Sequence, residues 1–404
     1  MSDWIESLPL QRPSSAAELG ELVRRAAADG QAIYACGGRT MLGVGSPPAK
    51  PGIAVDLRKL NQVIDYPARD MTITVQAGIT VAKLQEMLRA EKQWLPIDVP
   101  LADRATLGGA VACNISGPRR YGYGTLRDYV IGISFVNDRG EEAKAGGRVV
   151  KNVAGYDLCK LHIGALGTLG IVTQLTLKVR PLPEAIGVAA VQCPADELGA
   201  RLDRIHQSQT RPVAVELVSG ASAKELFKDL ADGTDWLILI GFEESGDAVA
   251  WQVQQLRQEL ACDFAAEWTG NAADAIWTRI VEYPWTAPAA VSFKANLPSH
   301  FVAEFCRSAA PLAERITAHA ESGIVWGLLP DRIELEAARK AIEQLRKLAG
   351  SVGGNVQLPR CHDEWKPLLR VWDHSGNDLE LMQAVKRQLD PRGLFNPGRY
   401  LPDL

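Results

Sequence analysis

Cysteine is too sparse in this sequence to build a framework. The seven residues Cys36, Cys113, Cys159, Cys193, Cys262, Cys306 and Cys361 include no CxxC pair. That excludes an iron–sulfur cluster of the usual spacing and a disulfide-stapled secreted fold, and it fits free thiols in a reducing cytosol. Histidine is scarce too. His162, His206, His300, His319, His362 and His374 include no close pair, so no metal site is expected. Basic residues are not in excess: 44 Lys and Arg stand against 48 Asp and Glu, a net charge of -4. No basic stripe is left over for a nucleic-acid backbone. No apolar run approaches the length of a membrane span, and the opening MSDWIESLPLQRPSS lacks the basic and apolar regions of a signal peptide. The chain therefore reads as cytoplasmic. Walker, GxGxxG, GxSxG, HExxH and EF-hand sequences are all missing.

Glycine, by contrast, is concentrated. Thirteen glycines fall between Ala105 and Ile171, where average usage of ~7% would give about five. Glycine costs backbone entropy, so it accumulates where the chain takes positive φ or lies against another surface. Here it separates apolar, β-branched runs, Tyr129 to Val136 and Leu166 to Leu177, that read as buried strands. Bare backbone amides between strands suit a large, flat ligand carrying phosphates.

The rest of the chain supplies the setting. Leu19, Leu22, Val23 and Ala26 recur at helical spacing and Gly30 closes that helix. A strand at Ala32 to Ala35 then runs into a loop with glycines 37, 38, 43 and 45, a phosphate-cradle candidate. The next fifty residues alternate strand, strand and helix, as if opening a βαβ unit. After Pro181 and Pro183 glycine thins out and strands alternate with helices, which predicts a second α+β domain. Leu381, Val385 and Leu389 share one side of a helix over Asn377 to Leu389, followed by DPRGLFNPGRY, a tail expected to dock on an existing domain.

Three segments taken together, CGGRTMLGVG at 36–45, ATLGGAVACNISGPRRYGYGTLRDYVIG at 105–132 and GALGTLGIVTQLTLKV at 164–179, resemble the PCMH-type FAD-binding domain of the vanillyl-alcohol-oxidase flavoproteins. GGRVVKNVAGYDLCKL at 146–161 and the ending DPRGLFNPGRYLPDL look like the FAD-binding subunits of bacterial glycolate oxidases. The resemblance implies an α+β fold: an FAD domain of two α+β subdomains over 1–183, a smaller α+β cap over 184–376, and a helix and tail at 377–404 that return to the FAD domain.

It also implies a site. Gly37, Gly38, Arg39, Thr40 and Gly43 would give backbone amides to the FAD pyrophosphate. Thr106, Leu107, Gly108, Gly109, Asn114, Ser116, Gly117 and Gly124 would line the flavin and ribityl chain. Gly167, Gly170, Ile171 and Val172 would close the adenine end, and Asn396 would return to the isoalloxazine. Relatives that attach flavin covalently carry histidine where this chain has Arg39, so the resemblance implies noncovalent FAD, with Cys113 the one thiol near enough to suspect as a link.

The cap lacks the HGHxGDGNxH metal motif of relatives that oxidise 2-hydroxy acids themselves. His362 and His374 are its candidate polar groups toward the flavin. Lys151, in the most subunit-like motif, is a candidate to balance a reduced flavin or meet a partner, and His162 reads as a packed histidine. The expected activity is oxidation of glycolate or a similar 2-hydroxy acid, beside a second FAD subunit and an iron–sulfur subunit that could tie the assembly to a membrane. A stand-alone FAD-dependent dehydrogenase of another hydroxy acid or sugar acid, and a non-catalytic flavoprotein subunit, are the other readings.

Overall fold

The computed structural model describes residues 4–147, 157–230, 233–373 and 378–400. The chain divides into two units: one holds residues 1–116, 125–182 and 374–404, the other 117–124 and 183–373.

The first unit contains two sheets of opposite logic. Strands β1 (Leu10–Gln11), β2 (Ala32–Cys36) and β3 (Gly52–Asp56) form a parallel sheet in the order β1-β3-β2. Against it lies α1 (Ala16–Ala28), whose start is fixed by the Ser15 hydroxyl accepting from the Glu18 amide. Its apolar stripe, Leu19, Leu22, Val23 and Ala26, is buried with Ile33, Val55 and Phe395, and Gly30 follows it at φ +65°. Each such side chain withdrawn from water contributes about 1.5–3 kcal/mol, which outweighs the weak intrinsic preference of a 13-residue helix.

Strands β4 (Val63–Asp65), β5 (Thr72–Gln76), β7 (Val130–Val136), β8 (Glu142–Gly146) and β9 (Ile171–Lys178) form the second sheet, ordered β4-β5-β9-β7-β8 and antiparallel throughout. Between β5 and β7 come α2 (Val81–Ala90) and the short β6 (Gln93–Trp94), which pairs with β10 (Arg180–Pro181). The expected βαβ unit is therefore not formed. β3 and β5, with only the short β4 between them, join different sheets, and β5 pairs antiparallel with β9 about a hundred residues on. Leu166 to Gly170 was also expected to be strand; it forms turns, with Leu166, Gly167 and Gly170 at positive φ.

The second unit is built on eight strands: β11 (Ala185–Cys193), β12 (Ala214–Ser219), β13 (Trp236–Glu244), β14 (Ala266–Thr269), β15 (Val291–Asn296), β16 (Arg315–His319), β17 (Ile324–Leu328) and β18 (Asn355–Cys361). They form one antiparallel sheet, β14-β11-β13-β12-β16-β17-β15-β18. One face is covered by helices carrying Leu198, Leu256, Phe305 and Leu345. Trp277, on the helix Gly270–Thr286, is fully buried on the other, beside Val188, Ala190 and Leu239. Residues 117–124 belong here because Arg119 is spent here. Its Nε donates to Glu243 at 2.6 Å and its Nη2 to Asp274 at 3.1 Å, while the Gly122 amide donates to the Val213 carbonyl.

Among the described residues no helix is long and apolar enough to cross a membrane, and no group of three His, Cys, Asp or Glu side chains is placed to hold a metal ion.

Candidate cofactor site

A cleft of about 1010 Å³, counting the part open to solvent, lies within the first unit. It gathers Gly37, Gly38, Arg39 and Thr40 from the loop after β2; Thr106, Gly108 and Gly109 from the start of α3 (Leu107–Cys113); Gly167, Gly170, Ile171 and Val172 from the turn into β9; and Asn396 from the tail. These segments were read as parts of one site from sequence, and here they share one cavity.

The loop after β2 is shaped for an anion. Arg39 sits in the left-handed region at φ +58°, and such a reversal among successive peptides turns N–H groups to one side as a nest. Among the described residues the amides of Gly38, Arg39, Thr40, Met41 and Leu42 have no protein acceptor. The Arg39 Nε is buried without a hydrogen-bond partner, and its Nη1 lies 3.6 Å from Glu6. Buried donors left unpaired are costly, so this row of amides fits a phosphate-bearing ligand.

The glycines are bare for a different reason than ligand contact. A Cβ on Gly37 would stand 2.0 Å from the Thr106 hydroxyl oxygen, and one on Gly38 1.7 Å from the Arg104 carbonyl oxygen. Gly108 lies as tightly on Ala77, at 2.7 Å, and Gly167 on the Asn396 amide nitrogen, at 2.8 Å. Chain is laid on chain behind the cleft, and the free amides are left in front. The start of α3 adds none, since the Leu107 amide donates to Ile79, that of Gly108 to Ala77 and that of Gly109 to the Thr106 hydroxyl.

Other expected residues stand elsewhere. Leu107 is fully buried in the core, as the first apolar residue of α3. Asn114 ends that helix at φ +50° and does not line the cleft, nor do Gly43 and Ser116. Gly117 and Gly124 belong to the second unit with Arg119. His362 is exposed in the second unit with its ring edge-on to Trp365. Lys151 and His374 lie outside the described residues.

The cleft also holds residues that sequence reasoning missed, among them Trp4, Met41, Leu42, Leu166 and Arg399. Only the Asn-Pro-Gly-Arg tail carried a usable signal. Arg399 donates to the carbonyls of Leu42, Val44 and Ser46 and lies 4.8 Å over the Trp4 ring. Asn396 donates from its side chain to the Leu166 carbonyl at 2.6 Å and from its backbone to Ile33 at 2.9 Å.

Two titratable groups in the cleft are held neutral. Burial pushes the Cys113 thiol up to about 11, which suppresses the thiolate a covalent flavin link would need. Burial likewise pushes His162 down to about 4; its ring packs 4.1 Å from that of Phe135 and lines the cleft. Because the folded protein refuses a proton that the unfolded chain accepts at the ordinary value of 6.5, stability from this residue is complete above pH 6.5 and is lost as pH falls toward 4. The loss amounts to about 3 kcal/mol. Urea denaturation at pH 7 and pH 4.5 will show it, and His162→Gln will flatten that part of the pH dependence.

In the second unit one cation stands out. Lys294, on β15, is pushed down to about 8 by burial and then by the neighbouring Arg120. Its ammonium is 5.9 Å from the Trp326 ring, and next along the same face of the strand the buried Ser292 hydroxyl has no partner among the described residues.

Comparison with known proteins agrees with the geometry. Residues 9–146 match the family model described as FAD binding domain, and residues 372–400 the one described as FAD linked oxidases, C-terminal domain. The glycolate oxidase subunit GlcE of Escherichia coli is 28% identical over 388 residues, covering 95% of this chain and 97% of the relative. The D-2-hydroxyglutarate dehydrogenase of Xanthomonas citri is 26% identical over 419 residues, 97% of this chain and 89% of the relative. D-lactate dehydrogenase of Archaeoglobus fulgidus is 26% identical over 419 residues, 99% and 92%. Among solved structures, alkyldihydroxyacetonephosphate synthase superposes with a TM-score of 0.71 at 17% identity over 96% of this chain and 75% of its own, which shows the PCMH-type fold.

Proposed function

We propose, for a chain that belongs to the FAD-linked oxidase family and is an FAD-dependent oxidoreductase, the role of a flavin subunit in a complex that oxidises glycolate or a similar 2-hydroxy acid. The observation that carries this reading is the row of unclaimed amides from Gly38 to Leu42 along a cleft that also gathers the α3 segment, the turn into β9 and Asn396. Bound FAD would supply the two-electron redox chemistry. The protein's own residues position it. Gly38 to Leu42 hold the diphosphate, Asn396 and the α3 segment set the walls, and His162 offers one neutral donor and one acceptor across the working pH range.

Noncovalent attachment is part of the proposal. It is supported by Arg39 in place of histidine and by the suppressed Cys113 thiolate. The chain shows no metal-ligand cluster among its described residues, and the sequence lacks the histidine-rich cap motif. Together these favour a division of labour in which a second flavin subunit oxidises the hydroxy acid and this chain relays electrons, with an iron–sulfur subunit as the onward acceptor.

The purified chain should be yellow and should release intact FAD on acid precipitation. Mixed anaerobically with glycolate or D-lactate, its 450 nm absorbance should hold for minutes, and should bleach within seconds once the co-expressed flavin subunit is present. Rapid bleaching of the chain alone would replace the relay by a stand-alone dehydrogenase.

A further inference from the structure

We propose that Arg399 is a positioning residue for the cofactor diphosphate, acting through the backbone of the loop after β2 rather than by touching phosphate. The open amides run from Gly38 to Leu42, and where the loop turns back after them the carbonyls of Leu42, Val44 and Ser46 each need a donor. One side chain meets that need. Arg399 is 6% exposed, its Nη2 donates to Leu42 and Val44 at 2.7 and 2.6 Å, and its Nη1 donates to Ser46. Its own carbonyl accepts from the Ser46 amide at 3.0 Å, so the tail and the loop are bonded in both directions.

Only a planar fork with several donors spans three carbonyls at once. A lysine ammonium carries the same charge but cannot reach them together. The Trp4 ring beneath the guanidinium keeps it in that plane. Loss of the fork frees the loop to rotate its peptides, and the amides of Gly38 to Leu42 no longer converge. The inference stands on FAD binding and is independent of which hydroxy acid is oxidised.

The test compares dinucleotide with bare flavin. Full-length apoprotein is titrated with FAD, riboflavin and ADP, following flavin fluorescence and competition. Arg399→Ala should weaken FAD by about 100-fold and abolish competition by ADP, while riboflavin affinity stays within about threefold of wild type. Arg399→Lys should lose at least about tenfold for FAD despite its charge. Wild-type FAD affinity in Arg399→Lys would mean that a point charge on the phosphate suffices, and would overturn the proposal. Equal loss for FAD and riboflavin would overturn it too, as would failure of both variants to fold by circular dichroism, since Arg399 would then serve stability alone.

Discussion

Lys386→Met will destabilise the first unit by about 3–5 kcal/mol, read as a shift in the urea midpoint followed by flavin release. Lys386 is buried, on a helix whose apolar side was read as Leu381, Val385 and Leu389. Its ammonium donates to the Thr168 carbonyl at 2.6 Å, the Phe395 carbonyl at 3.1 Å and the Asp390 carboxylate at 2.6 Å. Asp390 is 2% exposed and accepts in turn from the amides of Leu394 and Phe395, both at 2.9 Å. Burial holds the lysine below its ordinary value, with Asp390 opposing that shift. Forming the pair therefore gains little over an apolar core. Breaking it is another matter, because methionine leaves a buried carboxylate without its cation and two carbonyls without a donor. Lys386→Met/Asp390→Asn should be less destabilised than Lys386→Met alone. If the double variant is the worse of the two, the pair is not the source of the cost.

Gly38→Ala will give protein without colour. The added Cβ would lie 1.7 Å from the Arg104 carbonyl oxygen, which is backbone and cannot swing aside. The loop has to retreat by more than an ångström, carrying the nest amides with it. Overpacking of this kind costs about 1–3 kcal/mol in folding, but the larger effect falls on FAD, whose affinity should drop by more than about 100-fold with the loop amides out of line. The ratio of 450 nm to 280 nm absorbance and a fluorescence titration will measure it. Gly350→Ala is the control, since nothing lies within 4 Å of a Cβ there, and it should purify as yellow as wild type.

Local chemistry made much of this molecule legible. The apolar stripe and closing glycine of α1 and the β-branched runs of β7 and of β9 from Ile171 onward each obey a rule that acts over a few residues, and each forms the element that was read there. Where partners are distant the reading fails. β5 looks like the start of a βαβ unit because nothing nearby says that Leu175, Thr176 and Leu177 will pair with it. In the helix Leu379–Leu389 the periodicity put Leu381, Val385 and Leu389 on one side, and of these Val385 and Leu389 are half-buried. Leu381 is 67% exposed and Lys386 is the buried residue, because three acceptors from the tail and the 165–170 turn converge on its ammonium. The same distance hid Arg399, whose carbonyl partners stand about 350 residues before it. The glycines were found for the right property and the wrong neighbour: bare backbone was expected against a ligand, and Gly37, Gly38 and Gly108 are bare against their own chain.

The donors that hold the loop after β2 in shape come from Arg399, while the loop itself spans positions 37 to 46. A ribosome delivers these two segments about 350 residues apart, at about 5–20 residues per second. The nascent polypeptide thus carries an unbraced dinucleotide cradle for tens of seconds. Coenzyme loading has to wait until Arg399 is made, and a polypeptide cut just before it yields an apoprotein whose sheets are all present.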